Sequence, residues 1–232
     1  MRTYITTTIP YVNARPHIGF ALELVQADVL ARYRRARGDQ VRLQAGTDDN
    51  SLKNVLAARA AGLGTAEFVA QNGLCFTSLR DDLALTVDDI IRTGSDEAEF
   101  GRWWDGGSRR VHLLCKGVIR FHAAYWPAML LSAGLPLPAE LYVHDYLTAG
   151  GRNISKSGAV DLPSPAALAR EYGTDALRWW LLREVPRAGD ADFTIERLVA
   201  RADDELANGI TAQLTPEAGA LPRPDPVFRR LR

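Results

Sequence analysis

The chain predicts an α/β fold, a doubly wound parallel sheet with a small C-terminal helical appendage, and three observations carry that expectation. A β-branched run, Tyr4-Ile5-Thr6-Thr7-Thr8-Ile9, leads through a turn-rich stretch into a helical pattern with Ile18, Leu22, Val25, Val29 and Tyr33 on one face. A second strand-like run, Val41-Arg42-Leu43-Gln44-Ala45, follows Gly38, a residue suited to close a helix. Apolar runs return at residues 111–117 and 141–148 after further helical stretches, so strands and helices alternate as they do in a parallel sheet.

The first strand, helix and second strand make half of a nucleotide-binding sheet. Pro16 suits the first helical position, where its missing N–H would have no partner, which puts His17 and Gly19 in the first turn. That turn offers free backbone N–H groups and the positive end of the helix dipole, a setting for phosphate. Gly46-Thr47-Asp48-Asp49-Asn50 then falls at the carboxyl end of the second strand, where open α/β sheets bind ligands. Asp48 to Ser51 equally suit capping of a helix beginning near Leu52.

Helical patterns cover 51–61 and 65–85, divided by Gly62 and Gly64, and Val87 to Thr93 reads as a short strand. A Gly-rich link through Glu99 to Arg110 carries Trp103-Trp104 as a local hydrophobic anchor. After the strand at 111–117 comes the run Ile119 to Leu130, and then one strand is expected over Leu141 to Thr148. Helical patterns return at Pro165 to Arg183 and Ile195 to Ile210, and the proline-rich stretch Pro216 to Arg232 reads as a loose tail. The implied organisation is a nucleotide-binding part over 1–163, a helical part over 164–215 and the tail over 216–232.

Composition bounds the function. The 232 residues carry 28 basic and 28 acidic side chains, and a formal net charge of zero gives little general hold on a nucleic-acid backbone. No apolar run approaches a membrane span and no signal-peptide pattern opens the chain, so a cytoplasmic protein without membrane partners is expected. Cys75 and Cys115 lack ligand-spaced neighbours, which argues for free thiols and against zinc. Lysine occurs only at Lys53, Lys116 and Lys156.

His17-Ile18-Gly19-Phe20 resembles the His-Ile-Gly-His signature of class I aminoacyl-tRNA synthetases, and Pro10, Tyr11, Asn13 and His17 stand in register with the methionyl-type enzymes. Three more stretches match in order. Gly46 to Asn50 resembles Gly-Thr-Asp-Glu-His, the run ending Trp126-Pro127-Ala128-Met129-Leu130 resembles the family's Trp-Pro helix, and Asn153-Ile154-Ser155-Lys156-Ser157 resembles its Lys-Met-Ser-Lys-Ser loop. Tyr172 to Trp180 and the segment from Asp192 onward resemble elements of the stem-contact fold.

The resemblance implies a Rossmann-like sheet and a reaction in which an amino acid is activated by ATP to an aminoacyl adenylate. ATP would come with Mg2+ held mainly by its own phosphates. His17 and Lys156 would be the catalytic donors. Pro16, Gly19, Phe20, Val143, His144, Asn153, Ser155 and Ser157 would hold ATP, with the strand backbone at Val143 and His144 reading adenine. Tyr11, Asp48 and His122 would hold the amino acid, although a lone helical histidine is as readily structural. The chain also departs from the pattern. Phe20 replaces a histidine, Asn153 a lysine and Asn50 a histidine. Gly117 stands where relatives carry an aspartate that helps hold the ribose, and the connective insertion with its aromatic pocket wall is reduced to the link near 99–110.

The acceptor for the activated acyl group is then either a tRNA 3′ end or a small amine or carrier. Two alternatives stay open: a non-catalytic paralogue that binds an amino acid, tRNA or a partner protein, and an unrelated nucleotidyl transfer. Loss of the insertion is expected to uncover apolar surface near Trp103, Trp104 and Trp126, which would suit a homodimer.

Overall fold

The computed structural model describes residues 1–92, 103–104, 107–154, 162–186 and 188–210. Five strands, β1 (Arg2–Thr7), β2 (Gln40–Thr47), β3 (Asp89–Arg92), β4 (Arg109–Cys115) and β5 (Glu140–His144), form one parallel sheet in the order β3-β2-β1-β4-β5. The predicted doubly wound sheet is therefore observed, with β1 at its centre.

Strand alternation decides what each face meets. Ile5, Leu43, Val111 and Leu113 point into the main core with Ile18, Leu22 and Val25 of α1 (Ile18–Ala36). Tyr4 points the other way, into a second cluster with Trp103, Trp104 and Leu130. The expected stripe on α1 holds only for its first half, because Val29 and Tyr33 are exposed. α1 closes at Arg37, and Gly38 takes the left-handed conformation (φ +85°) that a C′ glycine supplies without steric cost.

After β2 come α2 (Leu52–Ala60), α3 (Thr65–Thr77) and the short α4 (Leu79–Asp82). The single helix expected over 65–85 is thus broken at Ser78, and Ala84 takes a positive φ of 49°. The helix that the family resemblance implies over 119–130 is also interrupted. A 3₁₀ turn (Lys116–Val118) and a π turn (Phe121–Tyr125) precede α5 (Trp126–Ser132). Pro127 gives the reason: it has no N–H to donate and its ring crowds the carbonyl four residues back, so the preceding turn widens.

The strand expected over 141–148 divides in two. β5 stops at His144, and Leu147 starts β6 (Leu147–Ala149) in a separate sheet with β7 (Arg152–Asn153) and β8 (Ala191–Asp192), ordered β7-β6-β8. The break lies at Asp145 and Tyr146, where Asp145 Oδ2 accepts from the Gly189 N–H (2.7 Å) and the Tyr146 N–H donates to Asp190 Oδ1 (2.9 Å). These bonds draw the chain off the large sheet.

α6 (Pro165–Tyr172) starts at Ser164, whose hydroxyl accepts from the Ala167 N–H, and α7 (Thr174–Arg183) and α8 (Ile195–Arg201) follow. Leu168, Leu177 and the fully buried Trp180 join the same core as Ile5 and Leu22, and Trp180 meets Phe193 edge-on at 4.8 Å. Asp28, with no exposed side-chain surface, ties three segments together. Its carboxylate accepts from Thr86 (N–H 2.6 Å, hydroxyl 2.7 Å), Arg32 (2.8 Å) and Arg178 of α7 (2.7 Å).

Candidate active site

A cavity of about 420 Å³ opens at the carboxyl ends of β1, β4 and β5. β1 runs on through α1 to β2 on one side, while β4 pairs on the other, so the cavity lies where the strand order reverses, the usual ligand crevice of such sheets. His17, Gly19, Phe20 and Glu23 face it from the start of α1, Gly117 and Val118 from beyond β4, and His144 to Leu147 and Ile154 from beyond β5.

His17 is the N-cap of α1 and not a residue of its first turn, and Pro16 lies outside the helix, buried against a separate small pocket by Arg15 and Ser164. The cap has extended backbone geometry (φ −106°, ψ 168°) and makes no side-chain capping bond, so its imidazole is not spent on the helix end. A Cβ on Gly19 would come within 3.1 Å of that ring, so the glycine lets the imidazole lie close over the helix start. Phe20, expected at the nucleotide, does line the cavity, yet its ring is 8% exposed and packs edge-on to Phe76 at 5.4 Å.

Sequence reasoning missed the polar floor of the cavity. Glu23 Oε1 accepts from both the Thr8 N–H (2.7 Å) and the Thr8 hydroxyl (2.6 Å), and Oε2 lies 3.0 Å from His144 Nε2. His144 Nδ1 lies 2.9 Å from the Asp145 carbonyl oxygen, so both ring nitrogens face acceptors. The signal was available as a carboxylate set in the apolar run Leu22-Glu23-Leu24-Val25. Burial pushes the thiol of Cys115, which lines the cavity, above its ordinary value, with Glu23 adding to the rise and the Gly117 backbone N–H opposing it.

The segment beyond β5 is shaped by charge. Lys116 pairs with Asp145 (2.8 Å) and Asp190 (2.5 Å), which raises the lysine and holds both carboxyls below their usual range. Asp192 anchors the Gly150-Gly151 turn, accepting from the Thr148 hydroxyl (2.7 Å) and the Gly151 N–H (3.0 Å). Both glycines have positive φ, 58° and 71°. Asn153 ends that turn on the exposed strand β7, and Ile154 enters the cavity. Ser155, Lys156 and Ser157 lie outside the described residues. Val143 lines a separate groove beside Gln26 and Tyr33, whereas His144 reaches the cavity.

Tyr11 and Asp48 come together. They form a parallel bridge in which the Asp48 N–H donates to the Pro10 carbonyl at 2.9 Å, and the Lys53 ammonium lies 5.4 Å from the Tyr11 ring centre. Ser51, and not Asp48, caps α2, while Asp48 Oδ1 accepts from the Asn50 N–H (2.9 Å). That separates Asp48 from the capping role it shared as an alternative. Asn72 of α3 steadies the neighbouring loop by donating to the Val12 carbonyl (2.9 Å).

On the other side of β1, His122 stacks on His112 with ring centres 4.9 Å apart and lies beside Trp126 at 5.9 Å. His112 Nδ1 is 2.7 Å from the Thr6 hydroxyl, and burial, aided by the nearby His122, lowers its pKa to about 3. Trp104 lies 5.6 Å from Trp126 and 6.4 Å from Tyr4. Trp103 and Trp104 are buried to 8% and 5% exposure, so no apolar surface is open at that pair, whereas Phe121, Tyr125, Met129 and Leu131, close to Trp126 in the chain, are exposed.

An open parallel sheet whose reversal point holds a cavity faced by a helix start and two glycines defines a doubly wound α/β protein of the nucleotide-binding type. Within that class the chain belongs to the class I tRNA synthetases of the methionine type, whose family model, "tRNA synthetases class I (M)", matches residues 3–99 and 90–215. A methionine–tRNA ligase of Mycobacterium leprae is 24% identical over 355 alignment positions, covering 88% of this chain and 65% of the relative. That alignment is longer than the chain itself, so more than a hundred positions have no residue here, and the two-part match places a break near residues 90–99. A methionine–tRNA ligase of Nostoc is 42% identical over 116 residues, 49% of this chain and 21% of the relative. The solved Mycobacterium tuberculosis methionyl-tRNA synthetase in complex with methionyl-adenylate superposes with a TM-score of 0.82 at 23% identity, covering 94% of this chain and 72% of that one. The chain thus spans about two thirds of the length of the first relatives it matches.

Among the described residues no group of three His, Cys, Asp or Glu is placed to hold a metal, and no helix is long and apolar enough to cross a membrane.

Proposed function

We propose that the chain activates an amino-group-bearing carboxylate with ATP, forming an acyl adenylate and releasing pyrophosphate. The observation that carries this is the cavity at the switch point, which joins the His17–Gly19 helix start to the ends of β4 and β5 in a chain of this family. A substrate carboxylate oxygen attacks the α-phosphorus, the bond to the bridging oxygen breaks, and negative charge spreads over the phosphoryl oxygens. His17, poised at the positive end of α1, donates to that charge, and Lys156 is proposed to donate from the other side. Mg2+ would come with the nucleotide, held mainly by the phosphates, and would offset their charge.

Asp48, beside Tyr11, is proposed to hold the substrate ammonium, which sets the substrate class without choosing its side chain. The acceptor in the second step is a tRNA 3′ hydroxyl or a small amine or carrier, with AMP as the leaving group. Amino-acid-dependent exchange of labelled pyrophosphate into ATP is the direct test. Silence across all proteinogenic amino acids and common analogues refutes the proposal.

A second reading is favoured by two observations: Phe20 is drawn into the core against Phe76, and Gly117 carries no side chain at the cavity. In that reading the chain binds an amino acid, tRNA or a partner protein without turnover. Calorimetry separates the two, since tight amino-acid or tRNA binding without ATP binding supports the binding module.

A further inference from the structure

We propose that the Tyr146 hydroxyl recognises a ribose hydroxyl of the nucleotide, taking the place that a side chain at position 117 would occupy; this rests on the adenylation reading above. Gly117 and Tyr146 both line the cavity. A Cβ built on Gly117 would overlap the Tyr146 hydroxyl oxygen and lie 3.2 Å from the ring carbon that bears it. The phenol therefore fills the volume from which residue 117 would otherwise reach into the cavity.

The ring is held in that place. The Tyr146 N–H donates to Asp190 Oδ1 (2.9 Å), its carbonyl accepts from the Ala191 N–H (3.1 Å), and the Lys116 ammonium lies 4.8 Å from the ring centre. Lys116 is fixed in turn by Asp145 and Asp190. The other polar groups on this wall are already engaged: Glu23 with Thr8 and His144, and Asp145 with Lys116 and Gly189. The Tyr146 hydroxyl has no hydrogen-bond partner among the described residues. An oriented, uncharged group that can both donate and accept suits a neutral sugar hydroxyl better than it suits phosphate.

The test compares binding of ATP, 2′-deoxy-ATP and 3′-deoxy-ATP by calorimetry to the intact protein and to Tyr146→Phe, a change that removes one unpartnered oxygen and leaves the ring and its lysine contact. The intact protein is expected to bind one of the deoxynucleotides about three- to tenfold more weakly than ATP, and Tyr146→Phe to bind ATP and that deoxynucleotide equally. Equal binding of all three by the intact protein, or discrimination that survives in Tyr146→Phe, overturns the assignment while leaving adenylation standing. Failure of the intact protein to bind any of the three removes both.

Discussion

Acid should unfold this protein partly through one buried ring. His112 sits on β4 beneath the His122 stack and is held neutral, its pKa lowered from 6.5 to about 3 by burial first and by His122 second. A depressed histidine pKa means the unfolded chain takes up a proton that the folded chain refuses, so stability is intact above pH 6.5 and declines as pH falls from there toward 3. At pH 5 the unfolded histidine lies about one and a half pH units below its pKa while the folded one is still neutral, which costs the fold about 2 kcal/mol relative to pH 8. Urea unfolding at pH 8 and pH 5 measures this in the intact protein and in His112→Asn, whose amide can keep the Thr6 bond. The substitution lowers stability at both pH values by loss of packing, but the loss between pH 8 and pH 5 should shrink by about 2 kcal/mol. An identical loss in both proteins, within about 0.5 kcal/mol, would refute the reasoning.

His17→Ala should reduce pyrophosphate exchange at least a hundredfold, about 3 kcal/mol, with little change in thermal unfolding, because His17 makes no side-chain capping bond to α1; a small kinetic effect would remove it from the chemistry. Asp48→Asn should weaken the amino acid far more than ATP in calorimetry and leave α2 intact, since Ser51 is its cap; equal weakening of both ligands would speak against an ammonium contact. Methionine should show no preference above about a hundredfold, some 2.7 kcal/mol, over other amino acids in the exchange assay, because Trp103 and Trp104 are packed on Tyr4 and Leu130 and have almost no surface left to line a side-chain pocket. Asp28→Asn should cost about 3 kcal/mol or more in urea unfolding, because it strips the charge from the carboxylate that binds Arg32 and Arg178. Burial alone would raise Asp28, but the bonds from Thr86, Arg178 and Arg32 outweigh it and depress the carboxyl. Its contribution is therefore present above the ordinary aspartate range and lost as pH falls through the lower folded value, a step that the Asn variant lacks.

The sequence by itself determined the sheet, the helix start at the centre of it and the family. Alternation of β-branched strands with amphipathic helices is written in local periodicity, and motifs such as His17 to Phe20 or Trp126 to Leu130 are contiguous, so no long-range contact is needed to read them. The nearness of Tyr11 to Asp48 was implied only by the family resemblance, and the bridge that joins them lies beyond the ends of β1 and β2. What only the tertiary structure decided are pairings made across distance by side chains with no periodic signature. Glu23 meets His144 across 121 residues, Lys116 meets Asp190 across 74, and Asp28 meets Arg178 across 150. Expectation also failed where a distant partner or a proline overrode it: the run 141–148 reads as one strand until Asp190 and Gly189 pull its middle away, and the helix that the resemblance implies up to Leu130 is interrupted where Pro127 widens the turn before it. Phe20 reads as a substituted site residue, and only packing shows its ring against Phe76, because burial depends on what the rest of the chain brings to that face.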